Sequence, residues 1–180
     1  MPADRPAVFF DRDGTLIEEV DYCDHPSQVR AIQGATEALL KLSEAGFALV
    51  IVTNQSGIGR GYFTHEDYSR VHEEVIWQLK PAEITATYYD DSTPSAPSAR
   101  RKPSPAMLEE AAREHSLDLT RSWMVGDKTS DIECGKNAGL RTVLVETGHG
   151  RGHLDCGADA IVPDIGYAAD YILQEAGCPK

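Results

Sequence analysis

The chain carries 180 residues, 41% of them hydrophobic, enough to bury the core of one ordinary α/β domain and pointing to a single domain over residues 1–180. Its 17 basic against 29 acidic side chains leave a formal net charge of -12, which argues against nucleic acid or an anionic membrane as partner, so a small anion would need locally placed cations. The 4 cysteines, Cys23, Cys134, Cys156 and Cys178, are widely spaced without a CxxC pair, and no apolar run approaches the roughly 20 residues that cross a bilayer; neither a disulfide framework nor a zinc site is suggested.

The opening Met1-Pro2-Ala3-Asp4-Arg5 runs straight into a strand, with no secretory leader, and a reduced cytoplasmic setting is expected. Ala7 to Phe10 is an unbroken apolar run, the pattern of a strand buried on both faces, and it stops at Asp11-Arg12-Asp13-Gly14-Thr15. From Gly34, Ala35, Ala38, Leu39, Leu42 and Ala45 recur at helical spacing, and Gly46 suits a left-handed stop. Phe47 to Val52 is a second strand closing at Thr53-Asn54, and Thr64 reads as the N-cap of a helix carrying Tyr68, Val71, Val75 and Leu79.

Ile84 to Tyr89 predicts a third strand, followed by a surface loop from Asp90 to Ala99 that ends in Arg100-Arg101-Lys102-Pro103. Ser104-Pro105 predicts an N-cap with proline at the first helical position, ahead of the apolar stripe Met107, Leu108, Ala111 and Ala112. Trp123-Met124-Val125 predicts strand four, closing at Gly126-Asp127. A short helix ending near Gly139, a fifth strand from Thr142 to Val145, a glycine-rich turn and a last helix near Tyr167 to Ala176 complete the chain. Alternating strands and helices imply a central parallel sheet covered on both faces, a three-layer Rossmann-like α/β fold, with ligands bound beyond the carboxyl ends of the strands.

At those strand ends the polar residues converge. Asp11 and Asp13 follow strand one, Thr53 and Asn54 strand two, and Asp127 with Asp131 strand four, while Arg101 and Lys102 enter from the loop after strand three. Gathering that many carboxylates is costly unless a cation neutralises them, and an oxygen-only ligand set suits magnesium. The DxDGT spacing lets one carboxylate attack phosphorus and the other move protons. Lys102, the Thr53 hydroxyl and main-chain amides near Arg12 and Asn54 are placed to offset charge on the phosphoryl oxygens. Taken singly, each feature also has an ordinary structural use: Thr53-Asn54 as a strand end, Arg100-Arg101-Lys102 as a solvated charge run, Asp127 and Asp131 as charges on a helix N-terminus.

Asp11-Arg12-Asp13-Gly14-Thr15, Thr53-Asn54-Gln55-Ser56-Gly57-Ile58, Arg101-Lys102-Pro103 and Gly126-Asp127-Lys128 with Asp131 resemble the four ordered motifs of the haloacid dehalogenase (HAD) superfamily. More narrowly they resemble D,D-heptose 1,7-bisphosphate phosphatases and their histidinol-phosphatase relatives, from about Ala7 to Gly148. The resemblance implies Asp11 as nucleophile, Asp13 as general acid and base that also offers its carbonyl to magnesium, Asp127 as a direct ligand and Asp131 as a support for the metal through water or Lys128. It implies substrate contacts at Glu19, Asp21, Tyr22, Thr53, Asn54, Gln55, Ser56, Arg101, Lys102 and Lys128. No long insertion separates the motifs, so no separate cap domain is expected.

One departure stands out: close relatives hold a Cys- and His-rich zinc loop before Arg-Lys-Pro, whereas Asp90 to Arg100 has neither residue type, so no structural zinc is expected. The resulting expectation is a cytoplasmic, magnesium-dependent phosphatase, a monomer or weak homo-oligomer. Its substrate is a small phosphorylated metabolite: a heptose 1,7-bisphosphate losing its 7-phosphate in the making of lipopolysaccharide precursors, or histidinol phosphate or another phosphomonoester. A phospho-accepting signalling receiver shares the acidic cluster, Thr and Lys but would carry its phosphorylated Asp after strand three. His149 and His153 read as surface polarity.

Overall fold

Unbroken apolar runs such as Ala7–Phe10 are stable only where both faces of the strand are covered. In the computed structural model, which describes residues 5–177, they are; Cys178 and the stretch from Met1 to Asp4 lie outside the described residues. Strands β1 (Ala7–Phe10), β2 (Ala48–Asn54), β3 (Ala86–Asp90), β4 (Trp123–Gly126), β5 (Arg141–Val145) and β6 (Ala160–Val162) form one sheet in the order β3-β2-β1-β4-β5-β6, every pairing parallel. Between them run helices α1 (Ala35–Glu44), α2 (Ser56–Gly59), α3 (His65–Gln78), α4 (Ala106–His115) and α5 (Thr129–Asn137), and α6 (Ile165–Glu175) follows the last strand.

Successive strand side chains point to opposite faces and so feed two core layers. Val8, Phe10, Leu49, Ile51, Val125 and Val143 pack with the apolar stripes of α1, α3 and α6; Ala7, Phe9, Val50, Val52 and Met124 pack with Met107, Leu108 and Ala111 of α4 and Cys134 of α5. This is the three-layer α/β fold expected from the sequence. Among the described residues no helix is long and apolar enough to cross a membrane.

Local signals account for most element ends. Gly46 stops α1 at a φ of 92°, where a side chain would be strained. Thr64 caps α3, accepting from the Asp67 amide at 3.1 Å while Asp67 accepts from the Thr64 amide at 2.8 Å. Two expectations need correction. Pro105, not Ser104, occupies the cap position of α4; Ser104 lies one residue earlier, its Oγ donating to the Ala99 carbonyl at 2.6 Å while accepting from the Ala106 amide at 3.3 Å. The edge strand β6 was not among the expected elements: three residues are too few for a periodic signal.

Register sets the site. Phe10 lies opposite Ile51 on one side and Val125 on the other, so β1, β2 and β4 end at one rim. The chain lays down β1, β2 and β3 outward in one direction, then returns to place β4 against the free side of β1. The crevice between β1 and β4 is therefore the switch point at which open α/β sheets take their ligands. β3, where a receiver would carry its phosphorylated Asp centrally, is an edge strand here, so the receiver reading fails.

Candidate active site

Asp11 begins the turn after β1, tied back by its amide to the Val125 carbonyl at 3.0 Å. The amides of Leu16 and Ile17 close onto the Arg12 carbonyl at 3.0 and 3.1 Å, and Gly14 supplies the positive φ, 81°, that the turn requires. Asp11, Thr53, Lys102, Asp127 and Asp131 are all buried in one cluster. Lys102 Nζ donates to Asp11 Oδ1 at 2.9 Å and to the Val52 carbonyl at 2.8 Å, and stands 2.7 Å from Asp131 Oδ1. Its main chain is clipped to motif two: its amide donates to Asn54 Oδ1 at 3.1 Å and its carbonyl accepts from Asn54 Nδ2 at 3.2 Å.

Asp13 is gripped from two sides. Arg12, wholly buried, donates Nε to Oδ2 at 2.9 Å and Nη2 to Oδ1 at 3.1 Å, and its guanidinium lies 5.4 Å from the centre of the Tyr68 ring. Gln55 Nε2 reaches both Asp13 Oδ2 and Thr53 Oγ1 at 2.9 Å. Neither the burial of Arg12 nor its bidentate grip was anticipated, because a charged residue between two aspartates reads as a solvated turn.

Asp131 accepts from the Lys128 amide at 3.0 Å, so it caps α5 with one oxygen while its other faces Lys102. Asp127 Oδ2 accepts from the His149 amide at 2.8 Å. That approach depends on two glycines: a Cβ on Gly14 would stand 2.3 Å from Asp127 Oδ2, and one on Gly148, whose φ is 56°, would stand 2.4 Å from it. Thr147 Oγ1 ties this turn to the Gly14 carbonyl at 2.7 Å. His149, read from sequence as surface polarity, thus serves Asp127 through its main chain and faces Glu19 at 3.4 Å through Nε2. The glycine-rich turn at the same rim, directly after β5, was the available signal.

Asp127 Oδ1 is buried without a hydrogen-bond partner, and the Lys128 ammonium is 4.0 Å away. Burial, and then the charge of Asp11, push the Asp127 carboxyl up to about 8. Burial also raises Asp131, against the pull of Lys102. Asp11 goes the other way: burial penalises its charge, but the ammonium groups of Lys102 and Lys128 outweigh that and hold its carboxyl below the ordinary range. Lys102 is raised for the reciprocal reason, burial being overcome by Asp11 and Asp131. Asp11, Asp127 and Asp131 each present an oxygen within 4.8 Å of the others. An all-oxygen set containing two buried carboxylate oxygens without a hydrogen-bond donor, Asp127 Oδ1 and Asp131 Oδ1, fits a hard divalent cation.

Beside the cluster opens a cleft of about 190 Å³ lined by Asp13, Glu19, Asp21, Tyr22, Asn54, Gln55, Ser56, Lys128 and His149, among others. Glu19 to Tyr22 belong to a flap held by pairing of Ile17 with Ala31, and Tyr22, at a φ of 53°, sets its ring edge-on to Tyr62 at 4.7 Å. Lys128 Nζ spans cleft and cluster, 3.4 Å from Glu19 Oε2. Thr53, Lys102, Asp11, Asp127 and Asp131 lie in the buried cluster and not on the cleft wall. Arg101 lines neither; its Nη1 donates to the Ser92 carbonyl at 2.6 Å.

Residues 99–170 match the HAD-hydrolase-like family. Over 153 residues, 79% of this chain and 81% of the relative, the sequence is 40% identical to the D-glycero-beta-D-manno-heptose-1,7-bisphosphate 7-phosphatase of Photorhabdus laumondii. The chain belongs to the heptose 1,7-bisphosphate phosphatase family of HAD-like hydrolases. The Escherichia coli K12 member is 35% identical over 94% of this chain and 88% of its own. The B. bronchiseptica D,D-heptose 1,7-bisphosphate phosphatase, whose crystal structure is complexed with magnesium and phosphate, superposes with a TM-score of 0.87 at 30% identity over 94% of this chain and 99% of its own. As a phosphatase of this family the chain carries Asp11, Thr53 and Asp127 at the carboxyl ends of β1, β2 and β4, with Lys102 brought in by the loop after β3.

Proposed function

We propose that the chain removes the 7-phosphate of D-glycero-D-manno-heptose 1,7-bisphosphate through an aspartyl phosphate on Asp11, with magnesium as cofactor. The observation that carries this reading is the pairing of buried Asp11 with Lys102 at 2.9 Å beside an Asp127 oxygen that has no donor. Lys102 and Lys128 keep Asp11 ionised, which a nucleophile must be. Its oxygen bonds to phosphorus as the bond from phosphorus to the sugar oxygen breaks, and Asp13 gives the leaving oxygen a proton. Asp13 then takes a proton from water, which attacks the same phosphorus and returns Asp11 and inorganic phosphate.

Arg12 and Gln55 hold Asp13 in position for both transfers. Lys102 donates to Asp11 and to the Val52 carbonyl and is ion-paired with Asp131, so an arriving phosphoryl oxygen competes with these partners for the ammonium. Thr53 and the main-chain amides at the strand ends offset the remaining charge. Asp11, Asp127, the Asp13 carbonyl and, through water or Lys128, Asp131 would hold magnesium, whose positive charge lets these carboxylates and a phosphate share one site. Glu19, Asp21, Tyr22, Asn54, Gln55, Ser56 and Lys128 would meet the sugar in the cleft, and Arg101, which lies off the cleft wall, is assigned to substrate recognition by the resemblance alone. The sugar itself comes from the relatives' names.

The test is phosphorus NMR of the products. Heptose 1,7-bisphosphate should yield inorganic phosphate and the 1-phosphate, with turnover stopped by chelation and restored by magnesium. Faster turnover of histidinol phosphate than of the heptose would reverse the substrate assignment.

A further inference from the structure

The segment between β3 and Lys102 must turn back to deliver Arg101 and Lys102 to the rim, and it contains no Cys or His. Its order comes from Asp90, the last residue of β3, a carboxylate only 4% exposed. Asp90 Oδ1 accepts from the Ser92 amide at 3.0 Å and from the Ser92 hydroxyl, and Asp90 Oδ2 accepts from the Ser98 hydroxyl. The two serines are joined in turn, the Ser98 amide donating to Ser92 Oγ at 2.9 Å. From this knot the bonds run to the basic residues: the Arg100 amide donates to Ser98 Oγ at 3.0 Å, and Arg101 Nη1 donates to the Ser92 carbonyl at 2.6 Å. At the other end, the Gln55 amide donates to the Asp90 carbonyl at 2.7 Å, tying the knot to motif two.

We propose that Asp90 is a positioning residue: through the hydroxyls of Ser92 and Ser98 it fixes the loop that carries Arg101, the residue assigned above to substrate recognition. The hydrogen-bond donors to this buried carboxylate are all neutral, while the Arg101 guanidinium acts on it through charge alone, and its removal frees all three donors at once. Lys102 is anchored separately, by Asn54, Asp11 and Asp131, so the knot governs Arg101 and not the reacting centre. The proposal rests on the assignment of Arg101 to substrate recognition made above.

The experiment is steady-state kinetics with heptose 1,7-bisphosphate on Asp90→Asn, Ser98→Ala, Ser98→Thr, Arg101→Ala and the Ser98→Ala/Arg101→Ala pair, each checked for folding by circular dichroism. Expected for Asp90→Asn and Ser98→Ala is a KM raised about tenfold, the scale of one misplaced charge-assisted contact, with kcat within about twofold. Ser98→Thr, which restores the hydroxyl, should return KM to that of the wild type. The pair should be no worse than Arg101→Ala alone, because both changes remove the same contact. If Arg101→Ala raises KM while Asp90→Asn and Ser98→Ala do not, the knot is not a positioning device, though the role of Arg101 stands. If Arg101→Ala leaves KM unchanged, the role of Arg101 fails and this proposal with it.

Discussion

Lys102 Nζ stands 2.9 Å from Asp11 Oδ1 across 91 residues of sequence, and the two side chains are almost wholly buried. An ion pair in such a place is kept at the cost of desolvation, and removing either member exposes the other to that cost.

Asp11→Asn keeps the shape of the side chain and removes the attacking oxygen's charge. Turnover should fall on the order of 10⁴-fold or more, while the fold remains, since Lys102 keeps Asp131 as partner. Rates near those of the wild type in a phosphate-release assay would refute Asp11 as nucleophile.

Lys102→Ala strands two buried carboxylates, Asp11 and Asp131, without their cation. The metal-free variant should lose about 3–5 kcal/mol of stability by urea titration. With magnesium present the fold should recover in part, yet kcat/KM should stay down by an amount equivalent to about 3–4 kcal/mol, the effect of deleting one charge-stabilising donor. Unchanged kinetics would return Lys102 to a purely structural role.

Asp127 makes metal binding depend on pH. In the metal-free protein its carboxyl rises from 3.8 to about 8, so the folded chain holds a proton that the unfolded chain has released. Across that window stability from this group falls as pH rises. Asp11, shifted downward, has the opposite sign: its contribution is present above 3.8 and is lost as pH falls through its lowered value. Magnesium must displace the Asp127 proton, so its stabilisation, read as a rise in Tm, should be larger near about pH 8.5 than near about pH 6, with proton release measurable by calorimetry in buffers of different ionisation enthalpy. Asp127→Asn should reduce the release, leaving at most the share of the upward-shifted Asp131, and make the metal-free protein more stable than the wild type above about pH 8. Proton uptake on binding would contradict the assignment.

Gly148→Ala should cost about 1–3 kcal/mol, because it forces a side chain into left-handed backbone. Its methyl would also stand 2.6 Å from Gly14 Cα and 2.4 Å from Asp127 Oδ2, so the His149 amide must withdraw. Magnesium affinity should therefore drop with stability, whereas Gly61→Ala, also at positive φ but with open space around it, should lose stability alone. Calorimetric titration of both variants separates the two.

The sequence made the rim legible because chemistry there is written in side chains at strand ends: Asp11, Thr53 and Asp127 each close an apolar run, and parallel register does the rest. What it hid was carried by main chain or by position. The His149 amide has no side-chain signature. Arg12 reads as a solvated turn residue until the fold buries it against Tyr68. The edge strand β6 is held by three pairings and is too short to show a period. Ser104 looks like a cap by type and its Oγ does accept from the Ala106 amide, but the cap position itself falls one residue later, at Pro105.

The alignment of Phe10 with Val125 has a further consequence. Sliding β4 by one residue along β1 would carry Asp127 about 3.3 Å along the strand and flip the side chains of β4 to the opposite face of the sheet. No ion could then bridge Asp127 and Asp11. The cation site proposed for Asp11 and Asp127 would therefore exist only in the correctly threaded sheet, and magnesium binding there would favour that register by mass action.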